Sequence, residues 1–166
     1  MNKASTRLNP SKLTIEPTTR CNFSCVMCVK QAPGNEIENG DLSFNTFTQL
    51  KSVFSGLKNL VFSGIGEPLL HPELEKFVGF AKKRMPEEGR LGLQTNGNLL
   101  DESRLESLLN SGLDEICVSL DAVSAESFKQ IRAGGELGDI EKAFATLKRA
   151  KSLRGQDSFR FGIEFV

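Results

Sequence analysis

The chain has 166 residues, long enough for one domain with a sizeable core, and its 21 Lys and Arg balance its 21 Asp and Glu. Neutrality excludes the broad basic field of a nucleic-acid or anionic-membrane binder, and apolar runs such as NLVF and EICVSL fall far short of a bilayer span. Twelve Phe with no Trp and no Tyr assign aromatic bulk to packing, without the polar handle those other rings carry.

The N-terminal MNKASTRLNP lacks the apolar stretch of a signal peptide, so residues 1–11 read as a loose polar tail and a cytoplasmic, reducing setting is expected. There, four cysteines serve as metal ligands or core residues rather than as disulfides. Residues 12–166 read as one domain. Its first strand is KLTIE (12–16), and Ser43 then caps a helix carrying Phe44, Phe47, Leu50 and Phe54, closed by Gly56. After the second strand, NLVFS (59–63), a helix runs from about Pro72 to Met85 with Leu74, Phe77, Val78 and Ala81 on one face, stopped by Pro86. RLGLQT (90–95) is the third strand. Asp101 caps the next helix, with Leu105, Leu108 and Leu109 inward and Gly112 past its end. EICVSL (115–120) is the fourth strand, Ser124 opens a short helix through Phe128 and Ile131, and a longer helix carries Ile140, Ala143, Phe144, Leu147 and Ala150 to Gly155. FRFGIEF (159–165) is the fifth strand.

This alternation requires parallel strands joined by right-handed crossovers, as in a (β/α) barrel, whole or partial, or an open doubly wound sheet. A fifth strand with no helix to cover it predicts that the chain is a fragment of a longer protein. Because successive strand residues alternate faces, turning the apolar set toward the helices turns Thr14, Glu16, Ser63, Gly92, Gln94, Asn96, Cys117, Ser119, Asp121, Arg160, Gly162 and Glu164 inward. Unpaired polar groups buried in such numbers would cost a few kcal/mol each. The interior is therefore expected to be wet or filled by a polar ligand.

CNFSCVMC, residues 21–28, places Cys21, Cys25 and Cys28 in one turn directly after the first strand, at the strand end where α/β folds bind ligands. Three thiolates leave a tetrahedral ion or an iron–sulfur cube one protein ligand short. His71, the only histidine, would complete a structural zinc site from the next strand–helix loop. Outside a zinc site His71 reads as a solvated residue, Lys82, Lys83 and Arg84 as a solvated helix face, and Cys117 as a small interior side chain. SGIGEPLLHP, QTNG, SLDA and IRAGG follow later strands and converge on the same rim.

C-x3-C-x2-C with GIGEP, TNG, SLD and IRAGG, from about Lys12 to Val166, resembles the radical S-adenosylmethionine (radical SAM) superfamily. The resemblance implies an α/β fold, a partial (β/α)6 TIM-like barrel with parallel strands, apparent truncation coming after the fifth. It implies a [4Fe–4S] cluster on Cys21, Cys25 and Cys28, with the amino and carboxylate groups of SAM taking the fourth iron. Reductive cleavage of SAM to a 5′-deoxyadenosyl radical, for hydrogen abstraction from a substrate, is the activity implied. By the same resemblance Gly66 and Glu67 contact the methionine amino group, Arg132 its carboxylate, Ser119 and Asp121 the ribose, and Met27 the adenine. Gln94 and Asn96 face SAM or substrate, and GIEFV supplies an adenine wall. Ile65 departs from the family's usual glycine. Read alone, Arg132 is as readily a surface arginine, Glu67 a helix-start carboxylate, and Gly134–Gly135 a turn. IEPTTRCNFSC with IRAGG resembles the branch that often carries SPASM or Twitch domains, implying peptide modification or cofactor maturation. The implied partners are SAM, an electron donor such as flavodoxin or ferredoxin, and a substrate such as a peptide, with no nucleic acid and no membrane. The alternative is a non-enzymatic zinc or iron–sulfur module, or an inactive truncated barrel.

Overall fold

The computed structural model describes residues 10–165, so most of the expected N-terminal tail and Val166 lie outside the described residues. Five strands, β1 (Lys12–Ile15), β2 (Asn59–Phe62), β3 (Arg90–Thr95), β4 (Glu115–Ser119) and β5 (Arg160–Glu164), lie side by side in chain order. Every neighbouring pair is parallel. This is the TIM-like α/β arrangement expected from the sequence, each strand ending within about one residue of its predicted limit.

The register shows why the alternation is decisive. Ile15, Phe62, Leu93, Ile116 and Phe161 stand abreast on the helix-packed face. The concave face carries Thr14, Val61, Gly92, Glu115 and Arg160 in one row, Gln94, Cys117 and Gly162 in the next, and Ser119 beside Glu164 above them. The strand residues of the inward set predicted from parity are therefore present, with Val61 and Glu115 as additions.

The helices are α1 (Phe44–Thr48), α2 (Lys51–Phe54), α3 (Leu74–Lys82), α4 (Glu102–Asn110), α5 (Ala125–Ile131) and α6 (Leu137–Arg154). Ser43, Asp101 and Ser124 accept hydrogen bonds from the N–H groups of Thr46, Arg104 and Ser127, satisfying donors that the first turn leaves open. The single helix expected after Ser43 is two. Tight i→i+3 bonds from Gln49 and Leu50 to the carbonyls of Thr46 and Phe47 break it, while Phe47 and Phe54 stay buried. Lys82 is also not part of a solvated run, because its Nζ reaches both Asp114 oxygens at 2.7 and 3.0 Å and the Gly89 carbonyl at 2.9 Å. Among the described residues no helix is long and apolar enough to cross a membrane.

Candidate cluster and cofactor site

Beyond β1 the chain makes a long loop that returns on itself. Thr18 bridges Asp41, Thr19 N–H donates to Gly40 O, and Leu42 N–H donates to Pro17 O. Arg20 clamps the neck of this loop with a two-pronged bond to Asp41 (3.0 and 2.9 Å) and a third to the Leu70 carbonyl (2.8 Å). Inside the loop, Lys30 Nζ donates to the Thr19 carbonyl and to Asn39 Oδ1.

The cysteine turn is held from the side by the IRAGG segment. Ser24 N–H donates to Ala133 O (2.7 Å) and Val26 N–H to Ile131 O (3.0 Å). Phe23 is buried with its ring against Gly135, where any Cβ would collide with it. IRAGG thus contributes more than a turn. It is the wall against which the three thiols are presented. Asn22 adds a polar tie, accepting from Asn96 Nδ2 (2.9 Å) and donating to Asn98 Oδ1 (2.8 Å).

The GIGEP loop is organised by two buried or half-buried carboxylates. Glu16 accepts from Ile65 N–H (2.6 Å) and Gly66 N–H (3.3 Å). Gly66 is pressed so close to the Thr18 carbonyl that no side chain fits there. Glu67 is buried and accepts from Leu69 N–H (3.0 Å), Thr95 Oγ1 (2.6 Å) and Asn96 N–H (2.7 Å). Burial pushes its pKa up; those three donors and the more distant Arg132 pull the other way. Its oxygens tie the end of β3 to the turn after β2.

All eleven candidate residues line one cavity of about 260 Å³ at the C-terminal ends of the strands. Cys21, Cys25 and Cys28 are free thiols, partly exposed. Burial raises the pKa of Cys21 and Cys25, with smaller upward contributions from Glu67 and Cys28 on Cys21 and from Cys21 and Cys28 on Cys25; the Phe23 N–H and Lys30 lower that of Cys21, and Arg132 that of Cys25. A bound cation would offset these costs and deprotonate the thiols. Gln94 Oε1 accepts from Ser63 Oγ at 2.6 Å, which leaves its NH2 for the cavity. Arg132 is buried rather than at the surface. Its guanidinium pairs with Asp121 at 2.6 Å, and its Nε has no hydrogen-bond partner among the described residues. Met27 lies at the mouth, about half exposed at 51 %.

His71 differs from both of its expected roles. It is buried at 2 % exposure, with Nε2 3.0 Å from Leu42 O and Nδ1 accepting from Glu73 N–H at 3.2 Å, and its ring lies 4.6 Å from that of Phe77. Both nitrogens are engaged in holding the loop, so neither is offered to zinc. Among the described residues no three His, Cys, Asp or Glu side chains converge on a single ion. Three free, partly exposed thiols lining one cavity, with His71 engaged elsewhere, are the donor set of an iron–sulfur cube with one open corner.

Sequence reasoning missed the carboxylate of Glu16 as the organiser of the GIGEP loop, and Asn22, Phe23 and Asn98 as supports of the cysteine turn. Glu16 was visible as an inward polar residue at a strand end. The others carry no local signal, because their partners lie far along the chain.

Residues 15–158 match the Radical SAM superfamily. Over 114 residues the chain is 39% identical to the tungsten-containing aldehyde ferredoxin oxidoreductase cofactor-modifying protein of Pyrococcus furiosus, covering 67% of this chain and 31% of that one. Over 139 residues it is 32% identical to the GTP 3',8-cyclase of Chlorobaculum tepidum, covering 84% of this chain and 41% of that one. The crystal structure of BtrN in complex with AdoMet and 2-DOIA superposes with a TM-score of 0.58 at 28% identity, over 80% of this chain and 54% of that one. The tagged protein anSMEcpe with bound AdoMet shares the fold, with a TM-score of 0.71 at 24% identity over 93% of this chain and 43% of that one. The chain thus spans between about a third and a half of the relatives it matches. With the cysteine turn, the GIGEP loop and the IRAGG wall assembled around one cavity, the chain belongs to the Radical SAM superfamily, whose enzymes bind a [4Fe–4S] cluster and S-adenosylmethionine.

Proposed function

We propose that Cys21, Cys25 and Cys28 hold the cluster by three irons, that SAM occupies the fourth, and that the enzyme containing this chain starts radical chemistry on an organic substrate. The observation that carries this reading is the meeting of all eleven candidate residues, from five separate loop segments and the ends of β3 and β4, around one cavity. When bound, the cluster and SAM supply reductive cleavage of the sulfonium to methionine and a 5′-deoxyadenosyl radical.

The residues of the chain bind and orient. Arg132 offers guanidinium N–H groups to the methionine carboxylate, and Asp121, paired with it at 2.6 Å, fixes where that fork points. Asp121 therefore acts on SAM through Arg132 as well as facing the ribose beside Ser119. Gly66 exposes backbone to the methionine amino group. Glu67, which accepts from Leu69, Thr95 and Asn96 and lines the cavity, shapes that backbone and keeps one acceptor site on Oε2 for the methionine amino group. Asn96 likewise positions the cysteine turn through Asn22. Met27, exposed at the mouth, covers the adenine. A flavodoxin or ferredoxin delivers the electron. The printed names of the curated relatives, a cofactor-modifying protein and GTP cyclases, favour cofactor maturation over peptide modification.

The test uses anaerobically reconstituted full-length protein. It should gain a brown chromophore absorbing at about 400 nm, and dithionite with SAM should release 5′-deoxyadenosine. An intact cluster with no such product overturns the proposal; one zinc per chain with no iron or sulfide supports the non-enzymatic module instead.

A further inference from the structure

A second cavity, of about 290 Å³, opens on the concave face one residue layer below the first and shares Gln94 with it. Cys117, Arg160, Gly162 and Glu164 line it, on β4 and β5, together with Glu115. Glu164 stands abreast of Ser119, its backbone fixed by Leu120 N–H at 2.8 Å, yet it borders this second cavity and not the one that holds the thiols. Its Oε2 is fully buried with no hydrogen-bond partner among the described residues. Arg160 lies 3.5 Å from Glu115 in a largely exposed ion pair, while no ion pair joins it to Glu164 among the described residues. Gly162 leaves open space beside Glu164, since a Cβ there would meet nothing within 4 Å.

A buried carboxylate oxygen without a donor is costly, and native structures satisfy such groups with a donor from protein, ligand or water. We propose that this cavity is the substrate subsite and that Glu164 selects a substrate bearing a protonated amine. The inference rests on the radical SAM reading for the neighbouring reaction, and it adds the chemical class of the molecule acted on.

Cys117 reports occupancy, because it lines the same cavity and its thiol feels the Glu164 charge after that of its own burial. Reconstituted full-length protein is alkylated with iodoacetamide, and modification of Cys117 is followed by mass spectrometry with saturating amylamine, 1-pentanol or pentanoate. Amylamine should slow the reaction several-fold while the neutral and anionic chains leave it unchanged, and Glu164→Gln should abolish the protection. Glu164→Lys should reverse the preference, with pentanoate protecting and amylamine not. Equal protection by all three chains, no protection by any, or protection that survives in Glu164→Gln would overturn the proposal. So would protection of Cys117 by SAM alone that is lost in Glu164→Gln, since Glu164 would then serve the SAM ribose. Failure to release 5′-deoxyadenosine, with amine protection intact, would strike the radical reading and leave the amine site standing.

Discussion

On the helix-packed side of β1–β3, Phe44, Phe47, Phe54, Phe62, Phe77 and Phe80 form a continuous cluster of rings, with Phe47 stacked on Phe77 at 4.3 Å. At the C-terminal rim of the sheet, Glu67, Thr95, Asn96, Ser119, Asp121 and Arg132 are buried polar groups, Glu67 hydrogen-bonded to Thr95 and Asn96 and Arg132 paired with Asp121. The first face needs no partner beyond the chain, and phenylalanine suits it because the ring carries no polar atom to satisfy. The second is only partly satisfied by its own residues, as the Arg132 Nε and Glu164 Oε2 atoms show. Stability and ligand binding are thus separated by strand parity, and substitutions on one face should leave the other largely intact.

That separation can be broken at several points. The largest effect is expected for Cys→Ala at 21, 25 and 28 together: complete loss of cluster iron and of the visible chromophore, with the far-ultraviolet circular dichroism of the fold retained. Next, Phe47→Ala should cost about 3–5 kcal/mol in denaturant unfolding, because it removes a ring with no exposed surface from the centre of the cluster. Its SAM affinity, measured where the protein remains folded, should be unchanged. Arg132→Ala should reverse that pattern, with the cluster kept but SAM affinity weakened by roughly 1.5–3 kcal/mol in equilibrium binding, the scale of a charged hydrogen bond. Equal loss of cluster and SAM binding in this variant would merge the roles that the geometry separates.

Glu67 sharpens the comparison because it lies on the polar side yet serves the fold. Glu67→Gln should destabilise by about 1–3 kcal/mol, since an amide replaces one acceptor oxygen with a donor facing N–H or O–H groups. Its raised pKa also carries a sign. The folded state holds the Glu67 proton to higher pH than the unfolded chain, so this group's contribution is fully present below the ordinary value of 4.5 and is lost as pH rises through the raised folded value. Melting temperatures across that window should show the decline in the wild type and not in Glu67→Gln.

Alternation over five residues and capping over three were enough to read the strands, their faces and the caps at Ser43, Asp101 and Ser124, because those signals are local and steric. The same local logic places the motif residues on one rim, at the C-terminal ends of the strands. It also misread the helix after Ser43, whose break depends on how Phe47 and Phe54 both reach the core. Which rim residues touch was decided elsewhere. Glu67 meets Thr95 across 28 positions, Asn96 meets Asn22 across 74, and His71 turns from the solvent to the Leu42 carbonyl across 29. Residue type and spacing therefore determined that this chain builds a polar rim with three thiols in it. Only the parallel crossovers, by bringing distant strand ends within bonding distance, decided which side chains satisfy one another and which stay open to a ligand.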